Sequence, residues 1–421
     1  MAGSLQTYRN VLALTGPVLP VISFLGRLPT AMCQLGSVLL VAETSGSLAT
    51  AGLAGGALAA GQTVAGPLLG RAADRYGQRT VVLAAAIANA AAVTGLVLAA
   101  LAHLPTGWLA LLGALAGASV PQVGPLARSR TVALAHRSGA DERTVAGALS
   151  FEGTLDEISF VLGPAFVGLA AALAQPAAAL LTAAALLAVC GTAFALHPTA
   201  RQVTAARRTG AARTRLPGAV YALRVTMALQ GAMFGASQAG ITALTGQLGR
   251  ASQTGLVYAA MGVMSAAAGL AMVAVPEWLA LRTRWRTATA ALVVLSVPLL
   301  FVHTLLGLYA TVTVLGVAYA PHLITVFGLT ERLVPAGRLA ESMAFLTSGI
   351  VGGQALALAL SGRLAQDHGA VAAFAVMVVA ATLCAVLAWS VRGLGEGRAH
   401  AATGGAVAPG VPAAPRAPVD S

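Results

Sequence analysis

The chain has 421 residues, 57% of them hydrophobic and only 9% charged, with 25 basic against 13 acidic side chains and a formal net charge of +12. Soluble domains carry about 25% charged residues, so the two or three soluble domains that the length alone would allow are excluded for want of polar surface. The positive excess would suggest a nucleic-acid partner in a soluble protein; here the chain reads as a polytopic membrane protein, and no nucleic acid is expected.

A bilayer-spanning helix needs roughly 20 apolar residues, and the runs in this sequence are too long and too unalternating for barrel strands. After a polar lead over residues 1–10, the first span is expected at 14–41, bent by Pro17, Pro20 and Pro29. It reads as a span and not as a cleaved signal. Spans two to six are expected at 47–69, 80–102, 107–127, 145–173 and 176–196, with a polar loop over 128–144. Residues 197–216 hold Arg201, Arg207, Arg208, Arg213 and Arg215 with no acid, the mark of a linker between two bundles. Spans seven to twelve follow at 217–246, 251–275, 287–303, 305–328, 339–362 and 370–391. The tail 392–421, rich in Ala, Gly and Pro, is expected to be disordered. The fold expected is therefore all-α, twelve transmembrane helices in two pseudo-symmetric bundles, 1–196 and 217–391.

All the basic residues are arginine. Arg27 and Arg224 fall within helices and Arg250 and Arg363 on the outer side; the others fall in or beside segments that are cytoplasmic if the N-terminus is. That bias is the positive-inside rule, and it places both termini in the cytoplasm. Anionic lipid is the natural neighbour of these arginines. Cys33, Cys190 and Cys384 lie in apolar runs with no pairing or metal spacing, so neither a metal nor a cofactor is expected.

Between the second and third spans, residues 70–79 read Gly-Arg-Ala-Ala-Asp-Arg-Tyr-Gly-Gln-Arg, an island of charge in which Asp74 is surrounded by Arg71, Arg75 and Arg79. Gly70 and Gly77 permit a tight reversal and close backbone approach. The stretch resembles the signature loop of the major facilitator superfamily, Gly-x-x-x-Asp-Arg-x-Gly-Arg-Arg/Lys. Gly70, Asp74, Arg75, Gly77 and Arg79 match it, and Gln78 departs from it. The resemblance implies a gating role, with Asp74 expected to bond Arg75 or a cytoplasmic arginine such as Arg128 or Arg130 and to cap nearby helix ends. A weak internal repeat agrees: Asp74 falls on Glu277 at a shift of 203, and Pro121-Gln122 falls on Pro321-His322 at a shift of 200.

Ionisable groups inside spans are costly and usually functional. Arg27, Glu152, Asp156, Glu157 and Arg224 are the ones that stand out. At 100° per residue, Glu152, Asp156, Ser159 and Gly163 share one stripe of the fifth span, while Glu157 points away from it. Arg27 lies at the depth of Glu152, and pairing would relieve the cost of both. Glu152, Asp156, Glu157 and Arg27 are therefore the proton-coupling candidates. Gly163, Pro164 and Gly168 resemble part of the fifth-helix motif of drug–proton antiporters. Gln34, Gln122, His322 and Arg224 are candidates for the substrate cavity.

No hydrolase, metalloprotease or phosphate-loop motif is present. The resemblance implies a monomeric secondary transporter of the bacterial inner membrane that moves a small molecule against protons by alternating access. Proton-coupled efflux of a small organic compound is the favoured reading. A symporter or facilitator for a sugar or metabolite is the alternative, and a membrane-embedded enzyme or sensor a more distant one.

Overall fold

The computed structural model describes residues 2–173, 175–201, 216–276 and 278–391. Most of the expected linker, Glu277 and the tail 392–421 lie outside the described residues. Among those described there is no strand. The helices are α1 (Ala2–Thr15), α2 (Val18–Ser45), α3 (Leu48–Tyr76), α4 (Gln78–Leu101), α5 (Thr106–Ala118), α6 (Val123–Arg137), α7 (Glu142–Leu173), α8 (Pro176–Leu186) and α9 (Thr192–Leu196). They continue with α10 (Gly218–Gln247), α11 (Thr254–Ala271), α12 (Leu281–Ser296), α13 (Leu305–Leu333), α14 (Leu339–His368) and α15 (Ala370–Ser390). Among the described residues, ten segments are long and apolar enough to cross a membrane, with α5–α6 counted as one and α8–α9 as another. Helices α3 and α10, at 29 and 30 residues, match them in length but not in apolarity.

Two sequence expectations are corrected. The first span begins at Val18 and not at residue 14: the polar lead belongs to a helix of its own, α1, and α2 starts only after Gly16 turns the chain at φ +69° and Pro17 follows as the N-cap residue. The fourth span does not end at residue 127 either. Gln122, at φ +53°, breaks it after Pro121, and helix resumes as α6 through Arg137, so Arg128 and Arg130 sit on a buried helix and not in a polar loop.

One apolar core is drawn from residues 28–184 and another from residues 233–381; a third lies between them, with Val132 and Leu149 against Leu223, Phe327 and Met343. Small residues let backbones meet, which is how helices pack where lipid supplies no hydrophobic drive. A Cβ on Gly113 of α5 would lie 2.6 Å from the carbonyl oxygen of Ala54 on α3, and one on Gly235 of α10 would lie 2.8 Å from the amide of Leu358 on α14. The same device joins the two halves. A Cβ on Gly70 would lie 2.8 Å from the carbonyl oxygen of Ala340, and one on Gly153 of α7 2.8 Å from Ile324 of α13.

Candidate functional site

The site begins with depth. At 1.5 Å per residue, Arg27 stands about 14 Å along α2 and Glu152 about 15 Å along α7. The two helices start at the same end of the molecule and run side by side, so the two side chains meet. Arg27 is buried and its guanidinium pairs with Glu152 through Nη2 and Oε2; Nη1 donates to the Glu152 carbonyl oxygen at 2.9 Å and lies 3.1 Å from Asp156 Oδ1. Thr131 donates to Glu152 Oε1 at 3.0 Å. Asp156 Oδ2 pairs with Arg128, whose guanidinium carbon lies 3.5 Å from the ring centroid of Phe327 in the other half.

Four buried charges thus sum to zero: Arg27 and Arg128 against Glu152 and Asp156. Burying an unpaired charge is prohibitive, and each carboxylate here has an arginine. Access separates them. The side chains of Arg27 and Glu152 are each 4% exposed and that of Arg128 is 0%, whereas Asp156 is 15% exposed. Asp156 borders a cavity that also touches Gln62, Gln122, Phe160 and Thr347. Gly124 makes room for the cluster, since a Cβ there would lie 2.8 Å from Asp156 Oδ1.

The other candidates divide. Glu157 leaves the stripe, as its angle predicts, and faces Ser265 and Tyr258 on α11. Gln122 lines the cavity at the helix break, where its Nε2 donates to the carbonyl of Val120 at 3.3 Å. Gln34 reaches Gln62 at 3.5 Å. His322 does not approach this cavity; it sits in a closed neutral network with Gln230 at 2.6 Å, Thr226 at 3.2 Å and Cys384 at 3.4 Å. Arg224 lines a separate cavity between α3, α10 and α14. Gly163 lets α7 approach α2, a Cβ there lying 3.2 Å from the Met32 amide; Pro164 is inside α7, and Gly168 faces open space.

At the loop between α3 and α4, Gly77 makes the reversal at φ +92°. Asp74 accepts a hydrogen bond from the amide of Glu341, 2.8 Å away at the start of α14, so the helix end it caps belongs to the other half. Arg128 and Arg130 are engaged elsewhere: Arg128 pairs with Asp156, while Arg130 donates to Gln78 Oε1 at 2.9 Å and to the Phe194 carbonyl at 3.0 Å. Gln78, the departure from the motif, is fully buried to receive that bond. Arg71 pairs with Glu341 at 2.7 Å, and Arg338 reaches the same carboxylate at 3.2 Å. Arg75 lies over the Tyr76 ring, and Arg79 is partly exposed. Two further pairs cross the halves at this end, His136 with Glu331 at 2.8 Å and Arg332 with Glu142 at 2.9 Å.

Arg128 and Thr131 are the site residues that sequence reasoning missed. Their signal is present: both lie on the turn after Gly124-Pro125, three residues apart and thus on one helix face. Ending the fourth span at residue 127 placed them outside the membrane.

No curated protein sequence matches this chain. Residues 13–218 match the family model described as Major Facilitator Superfamily. Among solved structures, the human organic anion transporter MFSD10 (TETRAN) is similar at a TM-score of 0.67 and 17% identity, covering 88% of this chain and 99% of its own. A bacterial homologue of the iron transporter ferroportin, in an outward-facing state, is similar at 0.67 and 17%, covering 89% and 99%. A family match confined to residues 13–218, just under half of the chain, and a fold shared with these solved structures support a multi-pass membrane transporter.

Proposed function

We propose that this chain exports a small organic molecule in exchange for protons, in the manner of the drug–proton antiporters. In this reading α3 and α10 also cross the bilayer, giving twelve spans in two six-helix bundles that rock about the cavity. Both termini face the cytoplasm of a bacterial inner membrane, and the protein works as a monomer. The contacts of Arg71, Asp74, His136 and Arg332 with the opposite half hold the cytoplasmic end shut. The observation that carries the reading is the charge balance at Asp156. Two arginines pair with two carboxylates, and of the two carboxylates it is Asp156 that lines the cavity. A proton arriving there leaves one positive charge uncompensated, which favours a conformation in which the arginines separate from the acids. Re-forming the pairs expels the proton, so the two conformations differ in proton affinity, as coupling requires. The solved relatives include an organic anion transporter and an iron-transporter homologue, so the fold alone names no cargo. The amides of Gln62 and Gln122 beside Phe160 favour a polar organic compound with an apolar part.

Whole-cell accumulation across a compound panel in an overexpressing strain identifies the cargo, and everted vesicles then measure its uptake under an imposed pH gradient. Asp156→Asn and Glu152→Gln are each expected to lose gradient-driven uptake, and at least one keeps cargo exchange. Parent-like response to the gradient in both variants would contradict proton coupling at this site.

A further inference from the structure

Arg224 lies apart from the coupling cluster. It is half-buried on α10, with Phe345 at 4.1 Å and Tyr221 at 5.2 Å from its guanidinium carbon. Its Nε and Nη2 are shielded from solvent and have no hydrogen-bond partner among the described residues. Leaving such donors without a partner is costly, the more so when they carry charge. The cavity that Arg224 lines is about 450 Å³ and is also lined by Arg71, Arg338 and Glu341. Three arginines meet one lining carboxylate, and counting Asp74, which caps the amide of Glu341, the neighbourhood still keeps a positive excess.

The rim of this cavity is apolar and outward-facing. Val64 is 69% exposed, Leu68 58% and Tyr221 55%. In a membrane-spanning chain these side chains meet acyl tails. Arg71 stands about 8 Å from the end of α3 and Arg224 about 9 Å from the start of α10, at 1.5 Å per residue. That depth adjoins the polar layer, which adds about 10–15 Å in total to a 30 Å hydrocarbon core. The guanidinium fork suits phosphate oxygens.

We infer that this cavity binds the phosphodiester headgroup of an anionic phospholipid from the cytoplasmic leaflet, its phosphate on Arg224 and Arg71 and its acyl chains along Val64 and Leu68. A lipid seated there bridges α3 and α10, and so spans the seam between the two halves.

The test is a thermal-shift titration of the purified full chain in neutral detergent. Phosphatidylglycerol is the probe, with phosphatidylcholine and soluble glycerol phosphate as separate arms. Phosphatidylglycerol is expected to raise the unfolding midpoint saturably, with the other two at least ten-fold weaker. Arg224→Gln should weaken the phosphatidylglycerol effect about ten-fold. Val64→Trp, which fills the acyl groove and leaves the arginines intact, should weaken it also, and decides the matter if Arg224→Gln does not fold. Equal effects of phosphatidylglycerol and phosphatidylcholine would overturn the anion selectivity. Glycerol phosphate acting as strongly as the lipid would make this a free-phosphate site and overturn the lipid assignment. Unchanged titrations in the folded variants would overturn the location.

Discussion

The two halves use the same proline–polar pair in opposite ways. In the first, Pro121 precedes a break at Gln122, and the resumed helix α6 delivers Arg128 to Asp156. In the second, Pro321 lies inside an uninterrupted α13, and His322 is spent on Thr226, Gln230 and Cys384. One region is a charged cluster beside a cavity; the other is a sealed neutral network. The difference teaches that buried charge is concentrated where it can be reached, and that the counterpart position packs. In membrane interiors ionisable groups are rare and usually mark pathways.

This contrast can be broken by stability measurements. Removing one partner of a buried ion pair costs about 3–5 kcal/mol, so Arg27→Ala should lower stability by that amount. His322→Leu, which strands only neutral partners, should cost about 1–3 kcal/mol. Denaturant titration of both variants in detergent compares them; equal losses would remove the distinction between the halves.

Glycines give a finer comparison. Gly124→Ala forces a methyl to 2.8 Å from Asp156 Oδ1, and overpacking of this kind costs about 1–3 kcal/mol. Gly328 of α13 would place its Cβ no nearer than 3.5 Å to Leu281, so Gly328→Ala should gain about 0.5–1 kcal/mol from helix propensity alone. A stability change of the same sign in both would show that the cluster does not dictate the glycine at 124.

The smallest effect is expected at the aqueous end of α7. Asp141 accepts from the Thr144 amide at 2.9 Å and caps the helix. Hydrogen bonds from Thr144 hold its carboxyl below the ordinary carboxylate range. A depressed folded value means the stabilisation is present above the unfolded value near pH 4 and is lost as the pH falls through the folded one. Asp141→Ala should cost about 0.5 kcal/mol at neutral pH, and the difference from the parent should vanish in acid. A loss as large as that of Arg27→Ala would mean that charge anywhere on α7 matters alike.

Much of the fold was legible because lipid imposes strict demands. Long apolar runs had to be helices, and the charged stretch 70–79 had to lie at one end of the bundle. The Arg27–Glu152 pair was legible from depth alone, since neither could be buried singly. Arg128 was not, because a helix that breaks at a positive φ and then resumes looks, in sequence, like a helix that ends. The partner of Asp74 was hidden for another reason: it is a backbone amide 267 positions away, and amides carry no sequence signal. His322 was misdirecting, since its partners come from α10 and α15 and only the packing shows that both ring nitrogens are occupied.

The central claim, that protonation at Asp156 sets the conformation, is tested most directly without any cargo. Cys33, Cys190 and Cys384 are all buried, so spin labels can be placed on cysteines introduced at Tyr76 and Trp389, exposed residues at the ends of α3 and α15. Pulsed electron–electron distance measurements across the pH range then report the opening of that end. The parent should shift toward longer distances as the pH falls, and Asp156→Asn should hold the long distance at every pH. Identical pH responses in the parent and Asp156→Asn would contradict the account.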